Sequence, residues 1–261
     1  MKVLKYFWDV VNLHTLLIIA ITVLATAICF RLEWTYEIPT DLIGIAIIFP
    51  IVFSINAAYS RRERALEVYA RIKANAVGIY YAFRDWQPGS SPELTQEVLS
   101  ILKNFFDNTK LYFMDKGHRG QVLHQIYNCF SRLSELAIRF REKGISTSEV
   151  TVIDTNIRSL LEEFEHMKNI LLYRTPVSLR AYSKIFLNIF PIFFAPYFAH
   201  VGKDSSPVMG YLVGGMYALI LVSLDNIQTG LENPFDQEGE DDLELEGKEY
   251  IEFVEKKDTQ K

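Results

Sequence analysis

The residues able to do covalent or metal chemistry do not gather in this chain. Its five histidines, His14, His118, His124, His166 and His200, are scattered. His118 and His124 are six apart, a spacing that does not place two imidazoles side by side on a helix as a shared metal would require. Glu162, Glu163 and Glu165 read as a solvated helix face. The sequence has no glycine-rich phosphate loop, nucleophile elbow or CxxC pair. The two cysteines, Cys29 and Cys129, fall in an apolar block and in a soluble helix, so they are poorly placed for a disulfide. An enzyme is not expected. The pattern points instead to ion passage, and it lies in Leu42–Arg64. There Ile45, Phe49 and Phe53 recur at every fourth position, and Asn56 returns to nearly the same angle. On one helix this is only a stripe. Repeated around an axis it makes stacked rings of bulky apolar side chains, a constriction that gates by dewetting. Aromatic edges carry slight positive charge and favour a passing anion over a cation. The same stripe also suits lipid contact or helix packing.

Such a stripe needs membrane-spanning helices to hold it. Charge is absent from Leu13–Phe30, Leu42–Ala58, Ile185–Val201 and Pro207–Leu224, each 17 or 18 residues long. A span needs about 20 apolar residues, with about 17 the lower limit, so polar flanks complete each one. The first run is longer than a signal-peptide core and lacks a small-x-small site before Arg31 and Glu33, so it reads as a span and not as a cleaved leader. Pro50 frees the carbonyl of Ala46 in the second block. Pro191 and Pro196 interrupt the third, which predicts that it packs inside an assembly where the freed backbone groups are satisfied. Gly210 and Gly214 give the fourth a small-xxx-small face for close helix contact.

Basic residues set the orientation. Lys2 and Lys5 precede the first span, Arg61, Arg62 and Arg64 follow the second, and Arg174, Arg180 and Lys184 precede the third. The two short connectors hold one basic residue each, Arg31 and Lys203. Both termini and the long middle region are therefore expected in the cytoplasm. That middle region reads as helices: a continuation of the second span over Tyr59–Ala82, a helix capped by Ser91 with Pro92 in first position, Gln121–Lys143 stopped by Gly144, and Ser148–Tyr173. Residues 236–261 hold eleven acidic residues and four lysines, a net −7, leaving +2 for the rest of a chain whose formal charge is −5. This composition predicts partial disorder beyond about Leu245. No basic patch interleaved with aromatics suggests nucleic acid.

The expected fold is an all-α membrane protein of four transmembrane helices plus a cytoplasmic helical bundle. Its divisions are 1–60 (first helix pair), 61–184 (cytoplasmic helices), 185–225 (second pair) and 226–261 (post-membrane segment and acidic tail).

Two motifs extend this reading. The IGIA segment followed by Phe53, Asn56, Ala57, Tyr59 and Arg61, together with Glu232-Asn233-Pro234-Phe235 ahead of an acidic run, resembles the bestrophin family of anion channels. Thr175-Pro176 with Tyr182 is a weaker third likeness. The resemblance implies a homopentamer with one central pore passing chloride and other small monovalent anions, no required cofactor, and a hydrophobic neck at Ile45, Phe49 and Phe53 with Asn56 as polar lining. It places a cytoplasmic aperture near Val177, where the following segment departs from the family pattern. Animal members bind calcium in an acidic clasp, which would correspond to Glu238 and Asp241. A solvated acidic linker is the other reading of that run, and a membrane-anchored helical scaffold without channel activity is the alternative for the whole chain.

Overall fold

The computed structural model describes residues 11–37, 40–86, 92–115, 117–173, 177–237 and 242–258, and among these no strand occurs. The helices are α1 (Leu13–Arg31), α2 (Thr40–Asp85), α3 (Pro92–Met114), α4 (Arg119–Glu142), α5 (Thr147–Leu172), α6 (Val177–Phe193), α7 (Ala195–Asp204), α8 (Pro207–Glu232) and α9 (Gly247–Asp258). They form two compact units. The first holds α1, the part of α2 up to Arg62, and α6 to α8. The second holds the rest of α2, then α3 to α5 and the segment from Pro234 onward.

Among the described residues of the first unit, three stretches are long and apolar enough to cross a membrane: Leu13–Arg31, Arg180–Asp204 and Pro207–Glu232. Asn12 caps α1 by accepting from the Thr15 amide at 3.0 Å, and Ser206 caps α8 by accepting from Met209. The third apolar block is not one helix. It breaks at Phe194, so Pro191 stays inside α6 while Pro196 sits in the first turn of α7. A missing N–H costs nothing in a first turn, which explains why a chain with two prolines five residues apart restarts there. Gly210 and Gly214 make the close approach that their spacing predicts. A Cβ built on Gly210 would strike the carbonyl oxygen of Phe198 and lie 3.2 Å from Gly202 Cα, and one on Gly214 would lie 3.0 Å from the Phe198 ring. Ile51 of α2 joins Leu187, Phe194, Phe198 and Leu221 in one apolar cluster.

The second unit is a helical bundle around aromatic rings. Ala65, Val68, Ile72, Ala76, Ile79 and Phe83 bury one face of α2, at the three- and four-residue steps of an amphipathic helix. Phe164 of α5 is fully enclosed, with Phe105, Tyr112, Phe113, Tyr127 and Phe130 at centroid distances of 6.1 to 6.4 Å. Pro92 opens α3, whereas the expected Ser91 cap lies outside the described residues. Gly144 ends α4 with φ +94°, a conformation glycine reaches without steric cost. A capping box then starts α5: Ser146 accepts from the Glu149 amide, and Glu149 accepts from the Ser146 amide at 3.1 Å.

The tail departs from expectation. Beyond Leu245 the chain folds into α9, which docks through Ile251 and Val254, and Leu243 and Leu245 are buried ahead of it. Four apolar residues set among the acidic ones form a continuous buried edge, and burying each fully is worth about 1.5–3 kcal/mol. Lys248 reaches Asp107 and Lys103 reaches Glu255, each at 2.8 Å. Charge composition alone hid this pattern.

Candidate functional site

The membrane part of α2 has two unlike faces. Ile51, Ser54 and Ala58 are almost fully enclosed by their own unit, at 3%, 1% and 1% exposure. On the opposite face Phe49 and Phe53 are 59% and 63% exposed, with ring centroids 6.2 Å apart. Val52 and Asn56 are exposed beside them. The phenyl stripe is therefore a surface feature of the chain, backed by a helix that is firmly packed behind it. The Ile45 and Val177 side chains lie outside the described residues, as do Glu238 and Asp241. Among the described residues no three His, Cys, Asp or Glu side chains converge as metal ligands.

A second group of polar side chains is centred on Asn188 of α6, and sequence reading missed it. The amide Nδ2 of Asn188 on α6 donates to Asp225 Oδ2 on α8 at 3.2 Å and to the carbonyl of Lys184 at 2.7 Å. His14 Nε2 of α1 lies 2.7 Å from Asn188 Oδ1. Asn226 Nδ2 donates to Thr15 Oγ1 at 3.0 Å, while Asn12 Nδ2 donates to Asn226 Oδ1 at 3.3 Å. About two turns away, the Arg180 guanidinium meets Glu232 at 3.2 Å. Three helices are thus joined by polar side chains where an apolar core would slide. Asp225, Gln228 and Glu232 are 5%, 6% and 9% exposed. The signal was present: Asp225 follows directly on an uncharged block, where the expected second helix pair ends. In fact α8 continues to Glu232.

The Glu232–Phe235 motif divides its work by residue. Glu232 ends α8 against Arg180, Asn233 leaves the helix in an extended conformation, and Phe235 is fully buried in the second unit with its ring 4.6 Å from that of Phe113.

Solved structures resemble this chain over nearly its whole length. A bacterial bestrophin homologue from Klebsiella pneumoniae aligns with a TM-score of 0.77 at 17% identity, covering 92% of this chain and 97% of that one. The fold is that of the bestrophin homologues. A second structure of a bestrophin homologue from the same organism gives 0.78 at 18% identity over 92% and 95% of the two chains. A structure described as a membrane protein gives 0.80 at 17% identity over 95% and 97%. No family model matches the chain, and no curated protein does. The bestrophin fold is thus shared at a level of identity where few side chains need correspond, so the roles of Phe49, Phe53 and Asn56 rest on their own surroundings.

Proposed function

We propose that the chain is an integral membrane protein of the bestrophin type, and that its copies assemble as a homopentamer around a pore lined by the membrane part of α2. In this reading it crosses the membrane four times, at Leu13–Arg31, the first part of α2, Arg180–Asp204 and Pro207–Glu232, with both termini in the cytoplasm. Chloride and other small monovalent anions pass down their gradient. Ile45, Phe49 and Phe53 form the neck, Asn56 offers a polar ring at its inner end, and Val177 stands at the cytoplasmic aperture.

One observation carries this reading. Phe49, Val52, Phe53 and Asn56 are uncovered by their own chain, while the opposite face of the same helix is packed. A symmetric ring of such helices turns that face to the axis. Apolar rings in a narrow pore shed water unless they dilate, which gives a gate without a charged plug. Ring edges present weak positive potential to an anion that has lost part of its hydration.

The test is reconstitution of the purified protein in planar bilayers under asymmetric chloride. Currents reversing near the chloride potential, with conductance or gating altered in Phe49→Ala and in Phe49→Ala/Phe53→Ala, are expected. Reversal near the cation potential overturns the anion assignment. Unchanged currents in both variants remove the neck from Phe49 and Phe53. An assembled protein with no conductance at all leaves a membrane-anchored scaffold.

A further inference from the structure

We propose that Asp225 and Gln228 hold a buried alkali-metal cation within the first unit. Asp225 lies in α8, immediately after a long run without charge, and is 5% exposed. Its carboxylate accepts one hydrogen bond, from the uncharged amide of Asn188. No lysine, arginine or histidine among the described residues pairs with it. The neighbouring acid is different, because Arg180 answers the charge of Glu232 at 3.2 Å. A lone carboxylate removed from water costs several kcal/mol, and a cation offsets that cost.

A second observation points to the same place independently. Gln228 is 6% exposed, and its Oε1 is enclosed with no donor in reach among the described residues. It stands three residues beyond Asp225 on one helix face. That geometry puts the two Cβ atoms about 5–6 Å apart, a separation that one cation bridges through both side-chain oxygens.

The donor set chooses the ion. It offers a carboxylate and an amide carbonyl, with a single unanswered negative charge. Calcium takes about six to eight oxygens, usually with several carboxylates. Transition metals favour imidazole or thiolate. Sodium or potassium fits oxygen ligands carrying one net charge.

The experiment is thermal unfolding of the purified full-length protein in sodium, potassium or N-methyl-D-glucamine chloride at equal ionic strength. The unfolding midpoint is expected to rise saturably with sodium or potassium over the organic cation, to lose that rise in Asp225→Asn, and to need at least about tenfold more cation in Gln228→Leu, equivalent to about 1.4 kcal/mol of binding. Glu232→Gln keeps the response, since its charge is not the one engaged. Equal midpoints in all three salts overturn the proposal, as does an undiminished rise in Asp225→Asn. If Asp225→Asn does not fold, Gln228→Leu decides: an unshifted saturation curve overturns the site. The readout is stability and not current, so it stands or falls apart from the channel reading.

Discussion

Gly210 shows how much a single missing side chain carries in this molecule. Its Cα faces the backbone of Gly202, and the atom an added Cβ would strike is the carbonyl oxygen of Phe198, which cannot rotate away. Gly215, on the same helix, meets only the methyls of Val23 and Ile19 at 3.7 and 3.8 Å, an ordinary contact. The two glycines therefore separate cleanly. Gly210→Ala is expected to cost about 1–3 kcal/mol through overpacking. Gly215→Ala is expected to be neutral or stabilising by up to about 1 kcal/mol, the helix-propensity gain of alanine over glycine. Thermal unfolding of the two variants in detergent checks the contrast, and equal midpoints would show that α7 and α8 separate freely enough to absorb a methyl. The small-xxx-small spacing made Gly210 and Gly214 legible in the sequence. Asp225 was not, because a carboxylate at the end of an apolar run reads equally as a helix exit and as a buried group, and only the neighbouring Asn188 distinguishes them.

At the scale of elements, the α9 helix tests which force docks the tail. The ion pairs Lys248–Asp107 and Lys103–Glu255 have side chains between 27% and 45% exposed, where such pairs contribute about 0–1 kcal/mol. Ile251 is fully buried and Val254 nearly so. Ile251→Ala is therefore expected to loosen α9 by about 2–5 kcal/mol, and Lys103→Ala by less than about 1 kcal/mol. Hydrogen exchange of the α9 amides in the full-length protein reads both, with protection lost in the first variant and kept in the second. The reverse order would make the tail electrostatically held. The bundle helices α3 to α5 were legible because apolar residues repeat at helical spacing over more than twenty residues in each. The tail was not, because Leu243, Leu245, Ile251 and Val254 are too few and too widely set among acids to dominate a compositional reading. The break at Phe194 escaped for a related reason: proline positions reveal where backbone bonds are lost, whereas where the helix restarts depends on packing around Phe194 and Phe198.

For the whole molecule the open choice is what covers the exposed face of α2. Periodicity marks Phe49, Phe53 and Asn56 as neighbours, and packing of Ile51, Ser54 and Ala58 behind them fixes which way they point from their own unit. Lipid and an aqueous pore both accept that face, but they differ in water. A thiol facing hydrocarbon stays protonated and out of reach of a charged reagent, whereas one in a conducting pore ionises and reacts. With Cys29 and Cys129 replaced by serine, Asn56→Cys is expected to react with a membrane-impermeant, negatively charged methanethiosulfonate and to lose current as the added charge repels anions. Phe53→Cys is expected to react more slowly, because a neck of apolar rings is wetted only when open. Val52→Cys tests the flank of the stripe, and in the proposed assembly it is expected to be shielded from the reagent by the neighbouring copy. Reaction at Asn56 with falling current places the face on the conduction path. Full protection of both Asn56→Cys and Phe53→Cys in a conducting protein turns the face to lipid and moves the pore to another helix.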